Sequence, residues 1–222
     1  MDGAPEQHHK LSCQGFSKIM NPYRETAQFE EQLTALKEVA TESSRRLVSD
    51  PPDPLFESHA NVFIKSYLVS ACSILETFLQ NEALYFVYEM RIRAENANIP
   101  HNLTRWSSGA KDSAANQKFA SFKIDLDEKI VTEKLSGNID KTILSFSKIG
   151  VDIASDQEFK DRKDFISARV FKRNAIIHDN DDASDISFGD ITEVAEKFLF
   201  YCHCIKRIVR QSPHLSSEEP TS

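Results

Sequence analysis

Apolar residues recur along this chain at spacings of three, four and seven rather than in alternation, the signature of helices. Phe29, Leu33, Leu36, Val39, Ala40 and Leu47 make the first such stripe. Asn21 and Pro22 suit its start as N-cap and first helical residue. Pro51, Pro52 and Pro54 stop it, because proline lacks the ladder N–H and restricts the residue before it. From Leu55 to Ile99 neither glycine nor proline occurs. Phe63, Tyr67, Ser70, Ile74, Phe78 and Asn81 follow one line there, and Val62, Leu68, Leu75, Leu79, Phe86 and Met90 widen it. A helix apolar over so much of its circumference belongs at the centre of a bundle. At 1.5 Å per residue the segment would exceed ~60 Å, so a kink is expected before Pro100 ends it. The small residues Ser70, Ala71, Cys72 and Ser73 leave room for a second helix to approach its middle.

Residues 100–120 carry a Ser/Gly/Ala/Asn mixture and the single tryptophan, Trp106, and read as a surface loop. Two short helices are expected at 125–135 and 139–149, parted by Ser136-Gly137-Asn138, where glycine ends one and asparagine caps the next. Ser155 and Glu158 have capping-box spacing and open a helix that runs to about His178. Asp190 and Glu193 offer a second box before the last apolar stripe, from Val194 to Val209. The fold class is therefore all-α, a helical bundle of about five to six helices over residues 21–211. Residues 1–20 and 212–222 are polar without a period and are expected to be a disordered arm and tail.

Composition narrows the functional classes. With 40% hydrophobic and 27% charged residues, the chain has apolar material for a core without disulfide help. Its formal net charge of −7 rules out a surface that is basic all round, so any polyanion site must be a local patch. Cys13, Cys72, Cys202 and Cys204 lack the spacing of a disulfide framework, and no leader is read ahead of them. Reduced thiols and a cytoplasmic location are the expectation. No unbroken apolar run approaches the ~20 residues that span a bilayer, so no membrane is expected. Cys202-His203-Cys204 suggests zinc, but neighbouring positions on a helix diverge and no second cluster completes four ligands. No metal and no cofactor is expected: P-loop, Rossmann and Gly-x-Ser-x-Gly patterns are absent. Asp179, Asp181, Asp182, Asp185 and Asp190 lack the glycine and final glutamate of a calcium loop and read as a solvated acidic loop.

The chemistry concentrates in Arg173-Asn174-Ala175-Ile176-Ile177-His178-Asp179. Arg173 offers a permanent charge and a planar fork of donors that fits a phosphate. His178 carries the side chain that exchanges protons near neutrality. The two are five residues apart, about 140° around an unbroken helix, so they converge only if the helix ends at His178 or a second copy completes the site. Lys160, Arg162, Lys163, Arg169 and Lys172 make the same helix locally basic, and Arg169 and Lys172 are candidates for an RNA backbone. A solvated amphipathic face accounts for the same lysines and arginines, so the charge alone does not decide function.

Arg173-Asn174-(three residues)-His178 resembles the R-x4-6-H motif of the HEPN superfamily, in which a polar residue commonly follows the arginine. Ser70-Ala71-Cys72-Ser73-Ile74-Leu75-Glu76-Thr77-Phe78-Leu79 is similar to the first core helix of such domains. The resemblance implies a helical bundle that dimerises, with motifs of both subunits lining one cleft, and often metal-independent cleavage of RNA in toxin–antitoxin or antiviral systems. It assigns Arg173 to the scissile phosphate, His178 to proton transfer and Asn174 to orientation of one of these groups. Glu76 and Asp179 are candidate supporting residues. RNA, a second copy of the chain and an antitoxin or other regulatory protein are the implied partners. A subgroup extends the motif to R-x4-H-x-Y; this chain has Asn180 at that place, so control by modification of a tyrosine there is not expected.

Overall fold

Leu68, Ala71, Cys72, Leu75, Phe78, Leu79, Ala83 and Phe86 share one face of a long helix and are buried almost completely, which makes that helix the axis of the domain. Burying each large apolar side chain contributes about 1.5–3 kcal/mol, so this single face is a large share of the favourable side of folding. The computed structural model describes residues 22–111 and 117–215. Their order is α1 (Pro22–Leu47), α2 (Pro54–Ala97), α3 (His101–Ser107), α4 (Glu128–Thr132), α5 (Ile139–Lys148), α6 (Gln157–His178) and α7 (Phe188–Arg210). No strand is present among the described residues; one isolated bridge joins Pro100 to Ser121. The fold is an all-α bundle with one short helix more than the sequence pattern supplies, since α3 occupies part of the stretch expected to be loop.

α1 and α7 pack against α2 and against each other, α6 lies across α2 and α7, and α4 and α5 close the remaining side. By length and composition α2 would also suffice to cross a membrane, but Leu68, Leu75, Phe78, Leu79 and Phe86 along it are enclosed by the other helices. Asp53 starts it by accepting from the backbone N–H of Leu55, with Pro54 at the first turn. The expected kink sits at His59 (φ −131°), near the beginning rather than the middle, and Asn98 in the left-handed region (φ 49°) ends the helix before Pro100.

Several positions differ from the sequence reading. Val39 (47% exposed) and Val62 (60%) face solvent, because each lies about 100° around its helix from a neighbour that takes the core side. α6 is capped by Asp156, whose carboxylate accepts from Phe159 N–H, not by Ser155. Ser155 belongs instead to the preceding turn, where Asp152 accepts from its backbone N–H. α7 begins at Ser187, with Asp190 as the return partner of that capping box, because buried Phe188 must already lie in the first turn. Residues 212–215 fold back on the body: Ser212 is buried and the Leu215 carbonyl accepts from Arg93. Asn21, the expected arm at 1–20 and residues 216–222 lie outside the described residues.

Candidate functional site

Where α6 crosses α2, the small residues of the α2 midpoint set the distance. Cys72 is fully buried there, its Sγ 4.0 Å from the Arg169 carbonyl. One turn further along each helix, Glu76 Oε2 stands 2.8 Å from Arg173 Nη2, with the two side chains 30% and 18% exposed. Arg173 Nη1 donates to the Asn174 side-chain Oδ1 at 3.1 Å, so the guanidinium is held from two directions. Burial pushes the Cys72 thiol up to about 12; the nearby Arg173 charge works in the opposite direction and does not overcome it.

α6 is continuous from Arg173 to His178, so the offset of about 140° between them is fixed by the backbone. His178 is the last helical residue and is exposed. The chain then turns sharply: Asn180 takes a left-handed conformation (φ 54°), which asparagine tolerates well, and Asp179 and Asp181 donate their N–H groups to the Ala175 carbonyl. Asp179 is the C-cap and is exposed.

The acidic loop is largely exposed, but two of its carboxylates are engaged. Asp181 and Asp185 reach back to Lys172 Nζ at 2.7 and 2.5 Å, which places a cation where three acids would otherwise face the negative end of the helix dipole. The Lys172 ammonium holds the Asp181 carboxyl below its usual range, helped by the Ala183 N–H, and its own pKa is raised in turn. Arg169 lies over the Phe165 ring at 4.9 Å, and Lys197 approaches the same ring at 4.1 Å. The two residues expected to hold an RNA backbone are thus a lysine already paired with two carboxylates and an arginine stacked on a phenyl ring.

Residues 30–211 match the family described as RiboL-PSP-HEPN. The chain belongs to that family. No curated protein and no solved structure matches it. The region shared with other RiboL-PSP-HEPN chains runs from α1 to the end of α7 and includes both Glu76 and the Arg173-to-His178 segment.

Away from the Arg173-to-His178 segment the structure of this RiboL-PSP-HEPN chain shows two ionic clusters that the sequence does not announce. Asp156, Glu158 and Cys204 converge closely enough to suggest a metal. Arg207 Nη2 stands among them, 2.9 Å from Asp156, 3.2 Å from Glu158 and 3.8 Å from Cys204 Sγ, so a guanidinium already answers their charge. Glu82, 2% exposed, faces Arg210 Nη2 at 3.4 Å. Both clusters join residues far apart in the chain, so no local spacing could reveal them. Cys202 and Cys204 are buried, whereas His203 between them is exposed and lies 3.3 Å from Glu30, as the divergence of adjacent helical positions requires.

Proposed function

We propose that this HEPN protein is a metal-independent endoribonuclease, acting in the cytoplasm as a toxin or antiviral effector. The observation that carries this reading is the guanidinium of Arg173, oriented by Glu76 and Asn174, on the same helix whose last residue is an exposed histidine. Arg173 binds the scissile phosphate and offsets the charge that grows on its oxygens in the transition state. The ribose 2′-hydroxyl attacks phosphorus in line, the bond to the 5′-oxygen breaks, and the products are a 2′,3′-cyclic phosphate and a 5′-hydroxyl. His178 moves a proton, from the attacking hydroxyl or to the leaving oxygen. Asn174 and Glu76 position Arg173, and Asp179 lies beside His178 in sequence as a support for the imidazole. Because Arg173 and His178 point about 140° apart, the working site is formed by two copies of the chain, each supplying part of one cleft.

Incubation with RNA in the presence of EDTA is expected to give products ending in a cyclic phosphate. Arg173→Ala and His178→Ala should each abolish them, and DNA of the same sequence should survive. Intact RNA, or cleavage unchanged in both variants, overturns the proposal.

A second reading is favoured by the charge pairing. Glu76 already neutralises Arg173, and Asp181 and Asp185 already neutralise Lys172. A HEPN module so paired serves as a non-catalytic binder of RNA, a nucleotide or a regulatory protein. RNA binding without turnover at any protein concentration is its distinguishing result.

A further inference from the structure

The far end of α2 carries a feature that the Arg173 site does not use. α3 and the segment that follows it expose Leu103 (49%), Trp106 (74%) and Phe119 (90%), while the only tryptophan of the chain gains nothing by facing water. Residues 99–124 contain Arg105, Lys111, Lys118 and Lys123 against a single acid, Asp112, in a protein whose net charge is −7. Lys111, Lys118 and Lys123 are exposed and have no carboxylate partner among the described residues. Exposed aromatic faces interleaved with unpaired cations are what a single strand of nucleic acid requires: bases stack on the rings and phosphates meet the ammonium groups.

The two ends of this appendage are also held in place. The Phe122 N–H donates to the Ile99 carbonyl at 2.7 Å and the His101 N–H to the Ala120 carbonyl at 2.8 Å, which pins the turn bearing Phe119 beside the start of α3. Arg91 on α2 donates to the carbonyls of Ile124 and Leu126 at 2.9 and 3.0 Å. Glu95 and Asp125 share a cleft at its base with Arg91 and Lys123. A stacking platform needs such fixing, because a ring ordered only on binding charges its lost entropy to the complex.

We propose that the α3 appendage is a stacking site for single-stranded RNA, with Trp106 and Phe119 as the base platforms and Lys111, Lys118 and Lys123 as the phosphate contacts. The choice of RNA rests on the ribonuclease reading; the stacking itself does not. From Glu76 to the end of α2 the helix rises roughly 30 Å, so only a polymer reaches the Arg173 site and the appendage together. The appendage thereby acts as a substrate-gripping element remote from the scissile bond.

The test measures binding of a labelled RNA of roughly 20 nucleotides, longer than the ~4–16 that one single-strand site covers, by fluorescence anisotropy. The whole chain carrying His178→Ala serves as parent, so that cleavage does not intervene. Trp106→Ala with Phe119→Ala is expected to weaken binding at least about fivefold. Lys118→Glu with Lys123→Glu should weaken it and flatten its salt dependence, since each phosphate contact contributes about −0.7 to the slope for a single strand. Thermal unfolding should be unchanged in both, because the substituted side chains are exposed. Single-stranded DNA should show the same dependence on Trp106, since stacking ignores the 2′-hydroxyl. Affinity equal to the parent in both double variants overturns the proposal, as does an undetectable affinity in the parent. Undiminished RNA affinity with loss of a protein complex would overturn it too and reassign the patch to protein docking. A wild-type chain that never cleaves RNA but binds it through Trp106 removes the nuclease reading and leaves this one standing.

Discussion

Glu76 and Arg173 stand ninety-seven positions apart in the chain and 2.8 Å apart in the fold, joining the midpoint of α2 to the last turns of α6. Each is less than one-third exposed, so the pair is neither a screened surface contact nor a fully desolvated one. Removing the carboxylate leaves the guanidinium without its orienting acceptor. Glu76→Ala is expected to lower RNA cleavage ~10- to 100-fold through misplacement of Arg173, mainly in kcat. It should lower stability by only about 1 kcal/mol once exposure is allowed for. Glu76→Gln, which keeps one acceptor oxygen, should recover part of the rate. Steady-state cleavage beside urea unfolding separates the two effects.

Gly137 carries a second constraint on where α6 lies. A methyl group at that position would meet Val170 Cγ2 at 2.7 Å, and Val170 is buried in the core of the bundle. Gly137→Ala is expected to destabilise the protein by about 1–3 kcal/mol, the usual range for overpacking. Val170→Ala should relieve most of that penalty when combined with it. A double-mutant cycle in urea showing simple additivity would count against the contact.

These two contacts show what the sequence could and could not convey. Periodicity located α1, α2, α6 and α7 because their apolar stripes are long, and Gly137 was visible as a helix break. Its second role, leaving room for Val170, depends on packing between elements and has no local signature. The segment from Arg173 to His178 stands out in the sequence because its residues are contiguous. That Glu76 would be the partner of Arg173 was only one option for a helical acid, and the pairing of Lys172 with Asp181 and Asp185 was hidden. It requires the chain to reverse at Asn180 and bring an acidic run back onto a basic helix. Caps slipped by one to three residues because Ser155 and Asp190 both had plausible spacing while neighbouring side chains took the N-cap position.

The same reversal predicts how RNA affinity responds to the acidic loop. With Lys172 paired to two carboxylates, its charge is masked from a phosphate. Asp181→Asn with Asp185→Asn is expected to tighten RNA binding and steepen its salt dependence by about 0.7 in slope, one additional single-strand phosphate contact. Lys172→Ala in the otherwise unaltered chain should change affinity little. Anisotropy titrations across a salt series decide it; a steeper loss from Lys172→Ala than gain from the double variant would show that Lys172 is already free.

Stability should record the Lys172–Asp181 pair on both sides of neutrality. Asp181 has its folded pKa depressed, first by the Lys172 ammonium and then by the Ala183 N–H. Its contribution is therefore present above the ordinary aspartate value of ~3.9 and is lost as pH falls through the lower folded value. Lys172 has its folded pKa raised by Asp181 and Asp185. Its contribution is present below the ordinary ~10.4 and is lost as pH rises through the higher folded value. Urea midpoints of the wild type and Asp181→Asn should differ near neutrality and converge at both extremes. A gap that persists unchanged into strong acid would contradict the pairing.

Cys72 reports on the joint that holds the site. Burial pushes its thiol to about 12 and that of Cys204 to about 11, and it raises Cys202 well above the ordinary range. Thiolate is the reactive species, so at mildly alkaline pH these three should resist a disulfide reagent in the folded protein and react on unfolding. Cys13 lies outside the described residues, so the measurement belongs in a Cys13→Ser background. Cys72 sits one turn before Glu76 on α2 and packs under the Arg169 carbonyl of α6, so opening of that joint exposes it without global unfolding. Glu76→Ala, by releasing Arg173, should accelerate labelling of Cys72 more than that of Cys202, which is buried on α7. Equal acceleration at both thiols would mean that Glu76 supports the whole bundle rather than the α2–α6 crossing at which Arg173 is held.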